Sequence, residues 1–167
     1  MADTMTPEQR SRCMAAVKSR DTKPEMMVRK FLFSKGLRFR VKNSLYGHPD
    51  IVLPKYKTVV FIDGCFWHGH QGCKCFRLPS TNVDFWRQKI NLNIARDYRT
   101  NVELRLLGWR VIRVWECELR PASTRAAVLD RIYRDITGKQ ATSPSAPYLP
   151  DDGQSIAAEP ESPYGKS

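Results

Sequence analysis

The chain has 167 residues and a formal net charge of +11 at neutral pH. Residues 138–167 contain two lysines against four acidic residues, so residues 1–137 carry +13. A folded unit this basic favours a polyanionic partner, and we expect nucleic acid. Residues 1–20 are polar and charged, and no apolar run approaches the roughly 20 residues of a membrane span. We therefore expect no signal peptide and no membrane association, and a cytoplasmic protein.

The first two predicted elements are helical. Residues 1–20 are predicted to form a basic helix or arm that contacts DNA. A second helix is predicted to begin after Thr22, the N-cap, with Pro24 in its first turn and Glu25 at the capping-box position. Gly36 is predicted to end it. The apolar stripe of this helix is Met27, Val28, Phe31 and Leu32.

Three strands are predicted next, over Leu37–Val41, Ile51–Leu53 and Thr58–Ile62. The turn residues 54–57 between the last two predict a hairpin. A long helix follows over Asn82–Leu107, because apolar residues recur there at a spacing of four. These residues are Trp86, Ile90, Ile94, Tyr98 and Val102.

The strongest strand prediction is Trp109–Trp115, which is rich in Trp, Val and Ile. A last amphipathic helix is predicted over Ser123–Ile136. The face of this helix carries Val128, Leu129, Ile132, Tyr133 and Ile136. This order of elements predicts an α/β fold, a mixed sheet flanked by helices on both faces, over residues 21–137. Residues 138–167 hold five of the eleven prolines and are predicted to be a disordered tail.

Cysteine and histidine are concentrated in one loop. Three of the five cysteines fall between positions 65 and 75, and in a reducing compartment such clusters indicate metal binding. Cys65, His70 and Cys73 have the spacing C-x4-H-x2-C. Cys117, just past the last predicted strand, can supply a fourth ligand. Three thiolates and one imidazole suit a tetrahedral structural Zn²⁺.

Two alternatives to this ligand set stay open. The cysteines can be free thiols, with Cys117 a small buried residue. Cys75 can also replace Cys73 as the third ligand. We favour Cys73, because a tight turn at Gln71-Gly72 brings it back toward Cys65.

Acidic and imidazole groups next to the hairpin indicate phosphodiester chemistry. Asp50 opens an apolar strand and offers the hard oxygen ligands that Mg²⁺ prefers. Asp63 ends the following strand and is expected near Asp50 across the hairpin. His68 titrates near neutrality and can exchange a proton with water or a phosphate oxygen.

Each of these residues also has an ordinary structural explanation. Asp50 after proline is a common turn, Glu25 is a capping residue, and Asp97 is a solvated acid on a helix. Phe66 and Trp67 can be core residues. The joint pattern, rather than any single residue, favours catalysis.

In combination these motifs resemble the very-short-patch-repair (Vsr) family of DNA mismatch endonucleases. The resemblance covers about Thr6 to Arg120, in family order. The matching segments are Arg10-Ser11-Arg12-Cys13-Met14, Asp21-Thr22-Lys23-Pro24-Glu25, Gly47-His48-Pro49-Asp50, Phe61-Ile62-Asp63-Gly64-Cys65-Phe66-Trp67-His68-Gly69-His70, Phe85-Trp86, Arg96-Asp97, Gly108-Trp109-Arg110-Val111 and Trp115-Glu116-Cys117.

The resemblance implies a restriction-endonuclease-like core that nicks duplex DNA on the 5′ side of the thymine in a T·G mismatch. It implies Asp50 as the Mg²⁺ carboxylate and the carbonyl of Ile62 as a further metal ligand. His68 is then the general base, and Glu25 and Asp97 orient hydrated metal or water. The implied zinc ligands are Cys65, His70, Cys73 and Cys117.

The resemblance also implies how the mismatch is found. Phe66, Trp67 and Trp86 are expected to wedge into the base stack, with Met14 entering from the minor groove. A wobble pair stacks poorly, so opening the stack there costs less than the usual few kcal/mol, and each stacked base returns about 1–3 kcal/mol. The implied partners are T·G-mismatched DNA and mismatch-repair proteins, and the implied form is a nucleoid-associated monomer.

Two features depart from expectation. Cys65 stands where the common nuclease pattern has lysine, so the site is expected to rely on His68. Asp63 occupies a position where its role stays open between metal ligand, phosphate neighbour and polar cap. Two other functions compete: a restriction-like nuclease with a different DNA target, and a zinc-stabilised DNA-binding module without catalysis.

Overall fold

The computed structural model describes residues 5–138, in which five α-helices and three strands follow one another. A 3-10 turn over Pro54–Tyr56 joins the first two strands. The elements are α1 (Pro7–Ala15), α2 (Lys23–Ser34), β1 (Ile51–Leu53), β2 (Thr58–Asp63), α3 (Val83–Leu106), β3 (Arg110–Trp115), α4 (Glu116–Leu119) and α5 (Ala122–Thr137).

The three strands form one mixed sheet in the order β1-β2-β3. The strands β1 and β2 pair antiparallel, with Ile51 opposite Val60, which confirms the predicted hairpin. The strands β2 and β3 pair parallel, with Asp63 opposite Trp115, because α3 carries the chain back across the sheet. In this register β2 and β3 end at the same edge of the sheet, next to the cysteine-rich loop.

Helices cover both faces of the sheet, as predicted. On one face α2 and α5 pack with alternate strand residues, among them Val60 and Ile112. On the other face Leu104 of α3 packs with Val59 and Phe61. Because strand side chains alternate between faces, Asp63 and Arg113 share the α3 face with Phe61. The polar site is therefore built between the end of the sheet and the middle of α3.

The predicted strand over Leu37–Val41 is wrong. Within this segment Arg40 alone forms a bridge, to Val52, through two backbone hydrogen bonds of 2.8 Å. Leu37 is buried, but Arg38 and Val41 are exposed. Leu37 and Phe39 pack against the core from one face of the segment, but the segment pairs with β1 only at Arg40, so no longer ladder forms.

The predicted apolar stripe of α3 holds only over its first half. Ile90 is buried, whereas Tyr98 is 50% and Val102 39% exposed. The residues buried further along are Thr100, Asn101 and Leu104. A step of four residues turns a helix about 40° past one full turn, so four such steps move the stripe by roughly 160°. The polar residues that turn inward instead face the end of the sheet.

The last helix follows its prediction closely. Val128, Ile132 and Ile136 of α5 are buried against the sheet, and Gly138 caps the helix with a φ of 68°. The predicted disordered tail lies, from residue 139 onward, outside the described residues. Among residues 5–138, no helix combines the length and apolar composition that crossing a membrane requires.

The packing on α3 predicts a contrast between two leucines on the same helix. Leu104 is fully buried, whereas Leu106 is 78% exposed. Leu104→Ala is expected to lower the free energy of unfolding by about 2–5 kcal/mol, and Leu106→Ala to change it by less than about 0.5 kcal/mol. Urea unfolding of both variants measures this. Equal losses would contradict the burial of this face of α3.

Candidate active site and metal centre

The loop between β2 and α3 folds back on itself in tight turns. The His68 N–H donates to the Gly64 carbonyl at 3.1 Å, and the His70 N–H donates to the Cys65 carbonyl at 2.9 Å. Gly69 is buried with a φ of 62°, and a Cβ there would lie 2.8 Å from side-chain atoms of Ile90 and Ile94. The loop therefore rests directly on α3 at a point that only glycine fits.

The four predicted metal ligands converge. One ligand atom each from Cys65, His70, Cys73 and Cys117 all lie within 4.8 Å of one another. Zn–S bonds of about 2.3 Å in a tetrahedron place ligand atoms roughly 3.8 Å apart, so this set fits such an ion. Cys117 lies in α4, which directly follows β3. The cluster therefore brings the loop to the end of the sheet.

Cys75 lies outside this set, as the spacing argument predicted. It is exposed, and its backbone N–H donates to the Cys73 sulfur at 3.3 Å. The imidazole of His70 stacks on Trp115 with ring centroids 4.0 Å apart. Burial lowers the pKa of His70, which favours the neutral imidazole that metals require.

His68 points away from the metal cluster and pairs with α3. Its Nδ1–H donates to Asp97 Oδ2 at 2.5 Å, which leaves Nε2 as the free nitrogen. Burial alone lowers the pKa of His68, but the hydrogen bond to Asp97 and the charges of Asp63 and Asp97 raise it above its usual value. Arg113 opposes this rise. The arrangement holds an oriented imidazole beside two carboxylates.

Asp63 is tied down by Arg113, a residue that sequence reasoning missed. Asp63 is only 3% exposed, and both its oxygens accept hydrogen bonds from Arg113 Nη1, at 2.9 and 2.7 Å. The nearest His68 nitrogen is 3.8 Å from Asp63. An arginine inside the apolar run of β3 was the available signal, because charged residues are almost never buried without a partner.

Asp50 meets Ile62 where the β1–β2 ladder stops. The last paired residues of the ladder are Ile51 and Val60, and just beyond them the Asp50 N–H donates to the Val60 carbonyl at 3.1 Å. The Ile62 N–H instead donates to Asp50 Oδ2 at 2.7 Å. Because the N–H and C=O of one strand residue face the same neighbour, the Ile62 carbonyl points toward the same edge as the Asp50 carboxylate. Two hard oxygen donors are thus brought together.

The charge on Asp50 is costly to bury. Burial, opposed in part by the Ile62 N–H, raises the pKa of Asp50 to about 6. The negative charges of Glu25 and Asp63 raise it further, and Arg29 lowers it. A carboxylate in such surroundings gains from a bound cation, which is the environment of a divalent metal ligand.

Glu25 lies close enough to act on Asp50, but its own oxygens are engaged. It is buried at 4% exposure and accepts from Arg29 Nη2 at 3.0 Å and from the Asp21 N–H at 2.9 Å. Thr22 caps α2 as predicted, but the Glu25 carboxylate accepts from the Asp21 N–H and the Thr22 hydroxyl rather than from the Thr22 N–H. Glu25 is therefore both a structural cap and a neighbour of the site.

The three predicted wedge aromatics form one cluster. Phe66 contacts Trp67 and Trp86 edge-on, with centroids 5.1 and 5.4 Å apart, and Trp67 lies 6.1 Å from Trp86. All three are half-buried rather than core residues. Phe85, which is 56% exposed, extends the cluster beside Trp86.

Met14 is not brought to this cluster by any described contact. It lies on α1, is 41% exposed, and none of the nine residues of this helix is buried. Thr6 caps α1 through a full capping box with Gln9. The predicted basic helix is therefore confirmed, while its docking is not determined by the rest of the fold.

An open cavity of about 520 Å³ adjoins His68. His68, Asp97 and Arg113 line one side, and the loop at Tyr46 and His48 lines the other. Its volume is ample for one nucleotide-sized group.

Comparison with known proteins gives consistent results. A family model described as DNA mismatch endonuclease Vsr matches residues 2–74. A type II nicking enzyme of Neisseria meningitidis is 49% identical over 137 residues, 81% of this chain and 97% of the relative. The DNA mismatch endonuclease Vsr of Escherichia coli is 42% identical over 146 residues, 86% of this chain and 93% of that protein. A nicking enzyme of Xanthomonas oryzae is 46% identical over 133 residues, covering 79% and 97%.

The docking of the loop on α3 predicts different outcomes at two glycines of the same loop. Gly69 and Gly72 both have positive φ, but a Cβ at Gly72 meets nothing within 4 Å. Gly69→Ala is therefore expected to cost about 1–3 kcal/mol more than Gly72→Ala, through the clash with α3. Urea unfolding of the two variants tests this, and equal costs would rule out the close packing.

The raised pKa of Asp50 predicts a pH-dependent stability. The pKa of Asp50 is about 6 in the folded state, against an ordinary value of 3.8. The raised pKa stabilises the folded state at low pH, and this stabilisation is lost as pH rises through about 6. Asp50→Asn has no carboxyl to titrate at this position. Its free energy of unfolding relative to the parent should therefore rise by about 2 kcal/mol between pH 4.5 and 7.5 without added divalent metal. Urea unfolding at both pH values measures the difference, and a constant difference would contradict the burial of this charge.

Proposed function

The chain belongs to the Vsr family of DNA mismatch endonucleases, and from this premise we propose that it nicks duplex DNA on the 5′ side of the thymine in a T·G mismatch, with Mg²⁺. It is an endonuclease, as its relatives are named. The observation that carries the finer proposal is the placement of His68 and Asp50 on two sides of Asp63. Asp63 lies 3.8 Å from His68, and its charge also acts on Asp50.

The metal site of this proposal is the open end of the β1–β2 ladder. The Asp50 carboxylate and the Ile62 carbonyl are hard donors at one edge, which fit Mg²⁺. A divalent cation there would supply positive charge to the scissile phosphate. Glu25, whose charge acts on Asp50, is proposed to orient hydrated metal or water.

His68 is proposed as the general base. The Asp97 carboxylate fixes the Nδ1–H tautomer, so Nε2 is free to accept a proton from the attacking water. Asp97 thus acts through His68 rather than as a solvated helix acid. Its side chain is only 19% exposed, in agreement with that role.

Recognition is assigned to the aromatic cluster. Phe66 and Trp67 directly precede His68 in the sequence, and Trp86 contacts them from α3. Because a T·G wobble pair is easier to unstack than a normal pair, rings inserted beside it offset a larger share of the opening cost. Lys89 lies 5.7 Å from the Trp67 ring and adds positive charge beside the wedge. Met14 on the basic arm is proposed to reach the minor groove.

The zinc proposal assigns Cys65, His70, Cys73 and Cys117 to one structural ion. Their soft ligand set and mutual distances fit Zn²⁺. An ion there would fix the loop that carries both His68 and the wedge. The proposed core, residues 21–137, is restriction-endonuclease-like, with residues 1–20 as the DNA-contacting arm. We further propose a monomer that acts at the nucleoid and meets mismatch-repair proteins there.

A nicking assay tests the proposal. Linear duplexes that differ only in having a T·G or a T·A pair at one position are incubated with the protein and Mg²⁺. We expect a nick 5′ of the mismatched thymine and little cutting of the matched duplex. Equal cutting of both would support a nuclease with a different DNA target, and binding without cutting a DNA-binding module; either result overturns the proposal.

The matched control is Asp50→Asn. It keeps the side-chain volume and an acceptor for the Ile62 N–H but removes the charge that would hold the cation. We expect loss of nicking by at least about 100-fold with DNA binding retained. Retained nicking would remove Asp50 from the mechanism.

A further inference from the structure

Arg113 is buried in a network that the roles above do not use. Its side chain is 17% exposed and lies over the Phe61 ring, 4.3 Å from the centroid. Its Nε donates to Asn101 Oδ1 at 2.9 Å, and its Nη1 donates to both oxygens of Asp63. The guanidinium therefore joins β2, β3 and α3 at the end of the sheet.

The third nitrogen of Arg113 faces the carboxylate that orients His68. Nη2 lies 3.8 Å from Asp97 Oδ1, while Asp97 Oδ2 accepts from His68. Nη2 is buried and has no hydrogen-bond partner among the described residues. A small shift of Asp97 toward Arg113 would complete that bond, so the Asp97 side chain lies between Arg113 and His68, with an oxygen for each.

We propose that Arg113 is a positioning residue: it holds Asp97, and through it the imidazole of His68, while Asp63 serves as the counter-ion of Arg113 and not as a metal ligand. This inference rests on the proposed role of His68. Both Asp63 oxygens are engaged by Arg113, so a cation would have to compete with a charge-assisted pair.

The planar guanidinium of arginine suits this positioning role better than the ammonium of lysine would. Three nitrogens in one plane face Asp63 of β2 and both Asn101 and Asp97 of α3 at once. A lysine ammonium would keep a charge opposite Asp63 but cannot span all three partners. The role is therefore geometric and separable from simple neutralisation of Asp63.

The first test compares Arg113→Lys with Arg110→Lys, the same substitution at an exposed position of the same strand. At saturating T·G duplex, Arg113→Lys is expected to lower the single-turnover nicking rate about 10- to 100-fold through misplacement of His68. The affinity of Arg113→Lys for the duplex should stay unchanged, and so should the nicking rate of Arg110→Lys. A parental rate for Arg113→Lys would overturn the proposal.

A double variant guards against a folding defect. Asp63→Asn with Arg113→Met removes both charges, so no unpaired buried charge remains and the protein is expected to fold. If Arg113 only neutralised Asp63, this variant would nick at the parental rate, which would overturn the proposal. We expect a reduced rate instead, and a smaller further loss from Asp97→Asn than in the parent, because the two residues act as one unit.

A measurement without DNA separates this inference from the proposed function. The short Nδ1–H bond of His68 should give a low-field proton NMR signal in the full-length protein. We expect the signal to be lost in Asp97→Asn and shifted or broadened in Arg113→Lys, but not in Arg110→Lys. An unchanged signal in Arg113→Lys would overturn the inference, whereas absent T·G selectivity with these NMR results would overturn the proposed function alone.

Discussion

The attachment of one glycine-rich loop to two different elements determines the geometry of the site. Residues 64–75 are held to the end of β3 by the Cys/His cluster that includes Cys117, and to α3 by Gly69 and the His68–Asp97 bond. The loop has little apolar surface of its own, so these attachments replace a core. Because His68 lies between cluster ligands Cys65 and His70, the same attachments place the proposed base and the adjacent aromatic rings.

A second constraint lies at the opposite side of the same edge. The β1–β2 ladder ends at the pair Ile51 and Val60, and beyond it the Ile62 N–H donates to the Asp50 carboxylate. The site therefore uses an edge where backbone groups are released from the sheet. Asp63, one residue further along β2, has both oxygens engaged by Arg113. In the proposed mechanism the metal-binding side and the proton-transfer side are therefore separate within one strand end.

Much of this fold follows from local sequence patterns, whereas the polar network does not. The hairpin and α5 were predictable because turn residues and an apolar stripe determine them locally. The cluster ligand Cys73 was predictable from one tight turn. The inward turn of Thr100 and Asn101 was not, because a spacing of four residues drifts around α3. Arg113 was missed for a related reason: its partners Asp63, Asp97 and Asn101 come from two other elements, β2 and α3, and a strand pattern records only which face a residue takes.

The most direct test is the location of metal in a crystal of the protein bound to a T·G duplex, grown with Mn²⁺ in place of Mg²⁺. Anomalous scattering recorded at the zinc and manganese edges distinguishes the two ions. The account predicts zinc among Cys65, His70, Cys73 and Cys117, and manganese between the Asp50 carboxylate and the Ile62 carbonyl. Manganese bound to Asp63 instead, or no manganese at Asp50, would contradict it.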